Sequence, residues 1–213
     1  MNNEQQSKII GLTGPIAAGK DEVAKILKKH GAYIIDTDQI AHQLYSYQSP
    51  VWQEIVKTFG SKILMRGGKI NRKKLGEIVF ADRNKLKLLN RIVHPYLKEA
   101  IIQSVEPLAC RQAGRTSNID RRIVINAAVL KEIGLVDYVD EVWVVMASKE
   151  NRLKRLIKSG LSKKEALKRI NAQASQKDYL KMADVVVRND GTSKQLKDQV
   201  EGAISRPATE RRG

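Results

Sequence analysis

The sequence predicts an α/β fold built on a parallel sheet, and three observations predict it. Short apolar runs alternate with segments whose apolar residues recur three and four apart. The first two runs, Lys8–Thr13 and Ala32–Asp36, bracket a turn and an amphipathic stretch, which together make a βαβ unit. The turn itself reads GLTGPIAAGK, with Gly14, Gly19 and Lys20 in the G-x-x-x-x-G-K spacing of a phosphate-binding loop. A chain of 213 residues can hold one such domain with an inserted subdomain. Its 42% hydrophobic and 29% charged content are ordinary for a folded protein.

The elements follow in order. KIIGLT is a buried strand ending in a glycine turn. DEVAKILKKH puts Val23, Ala24, Ile26 and Leu27 on one side and lysines on the other, with acids first and bases last, as the helix dipole prefers. AYIID is the second strand. Residues 51–59, 72–80, 85–93 and 96–105 each show helical spacing, and RGGK (66–69) separates the first two. So many helices between the second and third strands predict an inserted helical subdomain over about 48–108. Residues 109–122, polar, basic and glycine-containing, read as a surface loop. RIVIN (122–126) and EVWVVMA (141–147) are the next strands. Two basic helices, 149–159 and 162–173, follow and are joined by Gly160. ADVVVRNDG (183–191) is a last strand and turn, 193–205 a closing helix, and RPATERRG a disordered tail.

A formal net charge of +16 favours anionic partners, namely nucleotides, other phosphorylated molecules, nucleic acid or an acidic membrane surface. It serves solubility equally well. One cysteine, Cys110, excludes a disulfide framework and a cysteine-rich zinc site within the chain. The polar opening MNNEQQSK carries no signal-peptide pattern, and no apolar run approaches the ~18 residues of a spanning helix. The expectation is a cytoplasmic protein. Aromatics make up only 5% of the chain, so stacking platforms are scarce and nucleic acid is disfavoured.

A phosphate loop works because consecutive backbone N–H groups and a helix N-terminus converge on an anion. Gly14 and Gly19 permit the backbone angles, Ile16, Ala17, Ala18, Gly19 and Lys20 offer amides, and the Lys20 ammonium adds a charge for the outer phosphates. Pro15 has no N–H to give and holds Gly14 extended. Asp21 stands where a serine or threonine hydroxyl would meet magnesium. A carboxylate suits that hard cation. Like Glu22, it also suits a helix N-terminus. The two readings of Asp21, metal ligand and helix-end charge, both stand.

Asp36 and Asp38 close the second strand, where residues two apart point the same way. The carboxyl ends of parallel strands are where ligands bind in open sheets. A carboxylate there can accept the proton of an attacking hydroxyl. Asp38 is equally a good N-cap for a helix from Gln39.

With these residues in place the chain resembles the dephospho-coenzyme A kinases. GLTGPIAAGK and DTD match the opening of that family. Residues 70–95, INRKKLGEIVFADRNKLKLLNRIVHP, match its stretch ending in His-Pro. NAAVLKEIGL (126–135), GLSKKEALKRINAQ (160–173) and ADVVVRNDG match its later motifs in order, so the likeness covers about residues 8–200. The resemblance implies a P-loop kinase fold: a five-stranded parallel sheet flanked by helices, a helical substrate-binding insertion and a basic lid. In those terms the core is 8–47, 109–148 and 183–205, the insertion 48–108 and the lid 149–182. It implies ATP-dependent phosphorylation of the ribose 3′-hydroxyl of dephospho-coenzyme A, with Mg2+. Carried over by position, Gly14 to Lys20, Asp21, Glu22 and Asn189 bind nucleotide. Asp38, Lys20 and Arg155 are catalytic; Asp21, where the chain departs from the family, is expected to hold the metal by its place directly after Lys20. Asp38, Arg72, His94, Glu132 and Arg169 meet the acceptor. Arginines suit a transferring phosphoryl group, where catalysis is mostly positioning and charge stabilisation. A monomer or small homo-oligomer acting on a small molecule, away from any membrane, is expected.

Other readings of single residues remain open: His94 as a helix start before Pro95, Arg155 as a solvated charge, Glu132 as a surface acid. The chain departs from the family pattern at Asp21, at Asn126 and Ala128 (where the family has Asp and Pro), and at Lys154 and Lys158, where lid arginines are usual. Another P-loop small-molecule or nucleoside monophosphate kinase is the alternative, and a non-enzymatic nucleotide- or nucleic-acid-binding module the next. A GTPase would show N-K-x-D, which is absent.

Overall fold

A computed structural model describes residues 7–113 and 122–206, without the side chains of 110–113. Residues 114–121 of the loop expected over 109–122, the side chain of Cys110, the opening six residues and the tail from 207 lie outside the described residues. Asp36–Ser104 forms one compact unit, and the chain on either side of it forms the other.

The larger unit holds the sheet. Its strands are β1 (Lys8–Thr13), β2 (Tyr33–Asp36), β3 (Arg122–Asn126), β4 (Glu141–Met146) and β5 (Val185–Arg188), in the order β2-β3-β1-β4-β5. β1 pairs in parallel with β3 and β4, and β4 in parallel with β5. The strands are near-continuous apolar runs because a parallel sheet is covered on both faces. All six residues of β4 are buried. Ile10, Leu12, Val124, Trp143, Val145 and Val187 pack against Val23 and Leu27 of α1 (Lys20–Lys29) and Leu196 and Val200 of α9 (Ser193–Ile204). One acid enters this core. Glu141 accepts from Lys8 Nζ at 2.7 Å and from Trp143 Nε1 at 3.0 Å, so its burial is paired and hydrogen-bonded. Chain connections change side at β1, and the carboxyl edge there is the ligand-binding end of such a sheet.

The smaller unit is helical: α2 (Thr37–Leu44), α3 (Pro50–Phe59), α4 (Arg72–Ala81) and the first part of α5 (Arg83–Ala113). Val51, Ile55, Phe59, Ile63, Leu75, Val79, Leu89 and Val93 form its core. The unit begins earlier than residue 48 because Leu44 and Tyr45 pack on this core and tie α2 to it. Residues 85–93 and 96–105, expected as two helices, are one: α5 runs through His94-Pro95. Proline removes one backbone hydrogen bond, and the apolar face on either side (Leu89, Val93, Leu97, Ile101) keeps the helix going. His94 therefore marks no helix start. The same helix continues through 113, so residues 109–113 are not loop.

Helices α6 (Lys149–Lys158), α7 (Lys163–Asn171) and α8 (Gln176–Lys181) follow β4. The first two were expected and the third was not. Among the described residues no helix is long and apolar enough to cross a membrane.

Candidate active site

The glycine-rich loop runs from the end of β1 to the first turn of α1. Gly14 lies against β4, and a Cβ on it would stand 2.2 Å from the Val145 carbonyl oxygen. Gly19 has φ +99°, and a Cβ there would stand 2.0 Å from Asn189 Nδ2. Between them Ala17 takes φ +60°. That left-handed conformation costs a non-glycine residue about 1 kcal/mol or more, so its surroundings must hold it.

What holds it is α6. Arg152 Nε donates to the Ile16 carbonyl at 2.9 Å. Arg155 Nη1 donates to the carbonyls of Ala17 at 3.0 Å and Ala18 at 2.9 Å, and its Nη2 donates to that of Asn189 at 2.7 Å. The buried Asn189 side chain donates to the Ala18 carbonyl and to Glu22 Oε2. Gln173 Oε1 accepts from the Ile16 N–H at 2.8 Å and from Arg152 Nη2 at 3.3 Å. Burial pulls the Arg152 guanidinium below its ordinary pKa, with Tyr179 opposing. The start of α6 is tied to the same region, since Asp190 accepts from the Ser148 N–H and from Asn151 Nδ2. The first of these bonds holds the Asp190 carboxyl below its usual range.

Three expectations change here. The Ile16 N–H, counted among the phosphate donors, is engaged by Gln173, and the Ala18 N–H closes a turn on the Pro15 carbonyl at 3.1 Å. Glu22 and the Asn189 amide bond to each other. Arg155, placed at the transferring phosphoryl by the sequence, has its guanidinium on loop carbonyls, because α6 packs directly on the loop. Leu153, Leu156, Leu161, Ala166 and Ile170 form one apolar cluster with Ile16 and Ala17. The sequence did not single out Arg152 or Gln173. The available signal was spacing: Arg152 and Arg155 are three apart and so share a helix face.

Two departures from the family pattern meet. Asn126, at the end of β3, donates from Nδ2 to Asp21 Oδ1 at 3.0 Å. β3 and β1 are in register with Leu12 beside Asn126. An aspartate at 126 would face Asp21 charge to charge, whereas an amide turns repulsion into a hydrogen bond to a carboxylate. Glu132 and Arg169 are exposed. Glu132 acts with burial to raise the Tyr179 pKa, burial being the larger cause.

In the smaller unit, Asp38 is not on the strand. α2 starts at Thr37, and its N-cap is Asp36, whose Oδ1 accepts from the N–H of Asp38 at 2.9 Å and of Gln39 at 3.4 Å. Asp36 and Asp38 therefore do not alternate on one strand face, and the cap belongs to Asp36. Asp38 is left as an exposed carboxylate in the first helical turn. His42 lies one turn on along the same face. Arg72 donates to His42 Nδ1 and, at 3.0 Å, to the His42 carbonyl, and it stacks over the Tyr45 ring at 4.9 Å. Burial raises the Tyr45 pKa, with Arg72 acting against it. Asp38 and His42 thus stand one turn apart on α2, and Arg72, at the start of α4, bonds to His42. His94 lies half-buried within α5.

The dephospho-CoA kinase family profile matches residues 8–195. The chain belongs to the dephospho-CoA kinase family. It is 42% identical over 193 residues to the dephospho-CoA kinase of Carboxydothermus hydrogenoformans, covering 90% of each chain. Among solved structures it is similar to the dephospho-CoA kinase from Campylobacter jejuni, with a TM-score of 0.67 and 27% identity over 92% of this chain and 94% of that one. A shikimate kinase from Bacteroides thetaiotaomicron, 13% identical with a TM-score of 0.52 over 92% of this chain and 96% of that one, shares the fold alone. The fold is that of the P-loop kinases, and the resemblance over residues 8–200 stands.

Proposed function

We propose that this chain transfers the γ-phosphoryl group of ATP to the ribose 3′-hydroxyl of dephospho-coenzyme A, giving coenzyme A and ADP. The observation that carries the reading is a strand-loop-helix phosphate site, with both glycines sterically required, in a chain whose family profile spans residues 8–195. Loop amides and Lys20 hold the polyphosphate. The hydroxyl oxygen bonds to the γ-phosphorus as the bond to the ADP oxygen breaks, and its proton passes to Asp38. Arg72, His94, Glu132 and Arg169 are the proposed acceptor contacts. A cytoplasmic setting and a monomer or small homo-oligomer belong to the same proposal.

Magnesium fits the donor set. No three His, Cys, Asp or Glu side chains cluster among the described residues, but magnesium usually takes one or two carboxylates with substrate phosphates and water. Asp21 is that carboxylate, oriented by Asn126. Bound there, the ion would neutralise charge on the phosphate oxygens. Asp21→Ser is expected to make ATP affinity less steeply dependent on magnesium, read by titrating ATP at several magnesium concentrations. Unchanged affinity and unchanged dependence would remove Asp21 as the ligand.

The activity is tested by offering ATP and magnesium with dephospho-coenzyme A, or with AMP and other nucleoside monophosphates as rivals. The 3′-phosphorylated product is expected from dephospho-coenzyme A alone. No such product sinks the proposal, and a preference for a nucleoside monophosphate supports the alternative kinase.

A further inference from the structure

We infer that Arg152 and Arg155 are positioning residues of the phosphate loop, which aim its amides by gripping its carbonyls. The inference rests on the loop being the ATP site. In a trans peptide the carbonyl of one residue and the N–H of the next point in opposite directions. Arg152 holds the Ile16 carbonyl, so the Ala17 N–H is turned the other way. Arg155 and Asn189 hold the Ala18 carbonyl, which turns the Gly19 N–H the same way. The Ala17 carbonyl is also on Arg155, and its peptide partner, the Ala18 N–H, is already engaged by Pro15. The grip thus presents the Ala17 and Gly19 amides on the face away from α6. The Lys20 and Asp21 amides at the start of α1 join them, since the first N–H groups of a helix have no intrahelical acceptor, whereas the Glu22 N–H donates to the Gly19 carbonyl at 3.2 Å.

Two further observations fit a grip. Ala17 sits at φ +60°, and the arginines hold its own carbonyl and those of Ile16 and Ala18 on either side, so a strained backbone is fixed along its length. Ile16 and Ala17 also pack into the apolar cluster of α6 and α7, which places the guanidinium groups against the loop. Gln173 adds a second tie, since its Oε1 links the Ile16 N–H to Arg152. The basic residues of this region therefore divide by task. Arg152 and Arg155 face the loop backbone, while Lys154, Lys158 and Arg169 are exposed. Lysine could not replace Arg155, which reaches three carbonyls with a planar fork.

The test measures ATP and ADP dissociation constants by calorimetry without acceptor, for wild type, Arg155→Met, Arg155→Lys and Arg152→Gln. Loop amides cradle phosphates that ADP and ATP share, so a positioning role weakens both nucleotides by the same factor. Arg155→Met is expected to lose at least tenfold for each, Arg155→Lys less, and the KM for dephospho-coenzyme A at saturating ATP is expected to stay within twofold. Thermal melting checks folding, and if Arg155→Met does not fold, Arg155→Lys and Arg152→Gln carry the same comparison. A loss for ATP alone puts the side chain on the terminal phosphate and overturns the inference. So does ATP and ADP binding within twofold of wild type. A wild-type chain that binds neither nucleotide overturns the kinase reading and the inference together.

Discussion

Asp38→Asn is expected to lower kcat by roughly 10²- to 10⁴-fold, the usual range for a positioned general base, with little change in KM for ATP. The substitution keeps size and shape and removes the negative charge together with the capacity to take a proton. Asp36, not Asp38, caps α2 through its bonds to the N–H groups of Asp38 and Gln39, so the helix start survives the change. Asp38 is exposed, and a surface substitution away from a cap shifts stability by about 0.5 kcal/mol or less. Steady-state kinetics with a melting curve separate the two effects. Undiminished turnover would withdraw the base assignment and leave the kinase reading intact.

Gly14→Ala is expected to disable the site by geometry alone. The new Cβ would stand 2.2 Å from the Val145 carbonyl oxygen and 3.2 Å from the Val145 nitrogen, both backbone atoms of β4, which is paired on both sides in the sheet. No side chain can rotate out of the way. To reach even 3.0 Å the loop must move by about 0.8 Å, and a displacement of about 1 Å at a reacting centre can cost 10²-fold in rate. Overpacking also costs about 1–3 kcal/mol of stability. ATP affinity should fall with kcat/KM, and the melting temperature should drop. A variant with normal ATP binding and melting would show that the loop can shift without consequence.

Much of the fold was legible because its signals are local. β1 begins and ends where the apolar run does, α1 follows with its acids and bases sorted along the helix, and the G-x-x-x-x-G-K spacing sits between them. The long helix α5 was misread at Pro95 because proline is a local stop signal, whereas the apolar stripe on both sides is satisfied by packing. Asp38 was misplaced by one element because two aspartates at a strand end offer the same cap chemistry, and only the backbone decides which one takes it. Part of the candidate site was legible for the same reason. Gly14, Gly19, Lys20 and Asp21 announce themselves by spacing.

The sequence by itself determined that strands alternate with helices, that a glycine-rich loop ends one strand and opens a helix, and that carboxylates stand nearby. These follow from periodicity and motif, which operate over a few residues. Only the tertiary structure decided what each polar group does. It set Asn126 on Asp21 across 105 residues of chain, and it turned Arg152 and Arg155 onto the carbonyls of a loop 136 to 138 residues earlier. A guanidinium has no local preference between a phosphate and a carbonyl oxygen; which one it meets depends on where packing puts its helix.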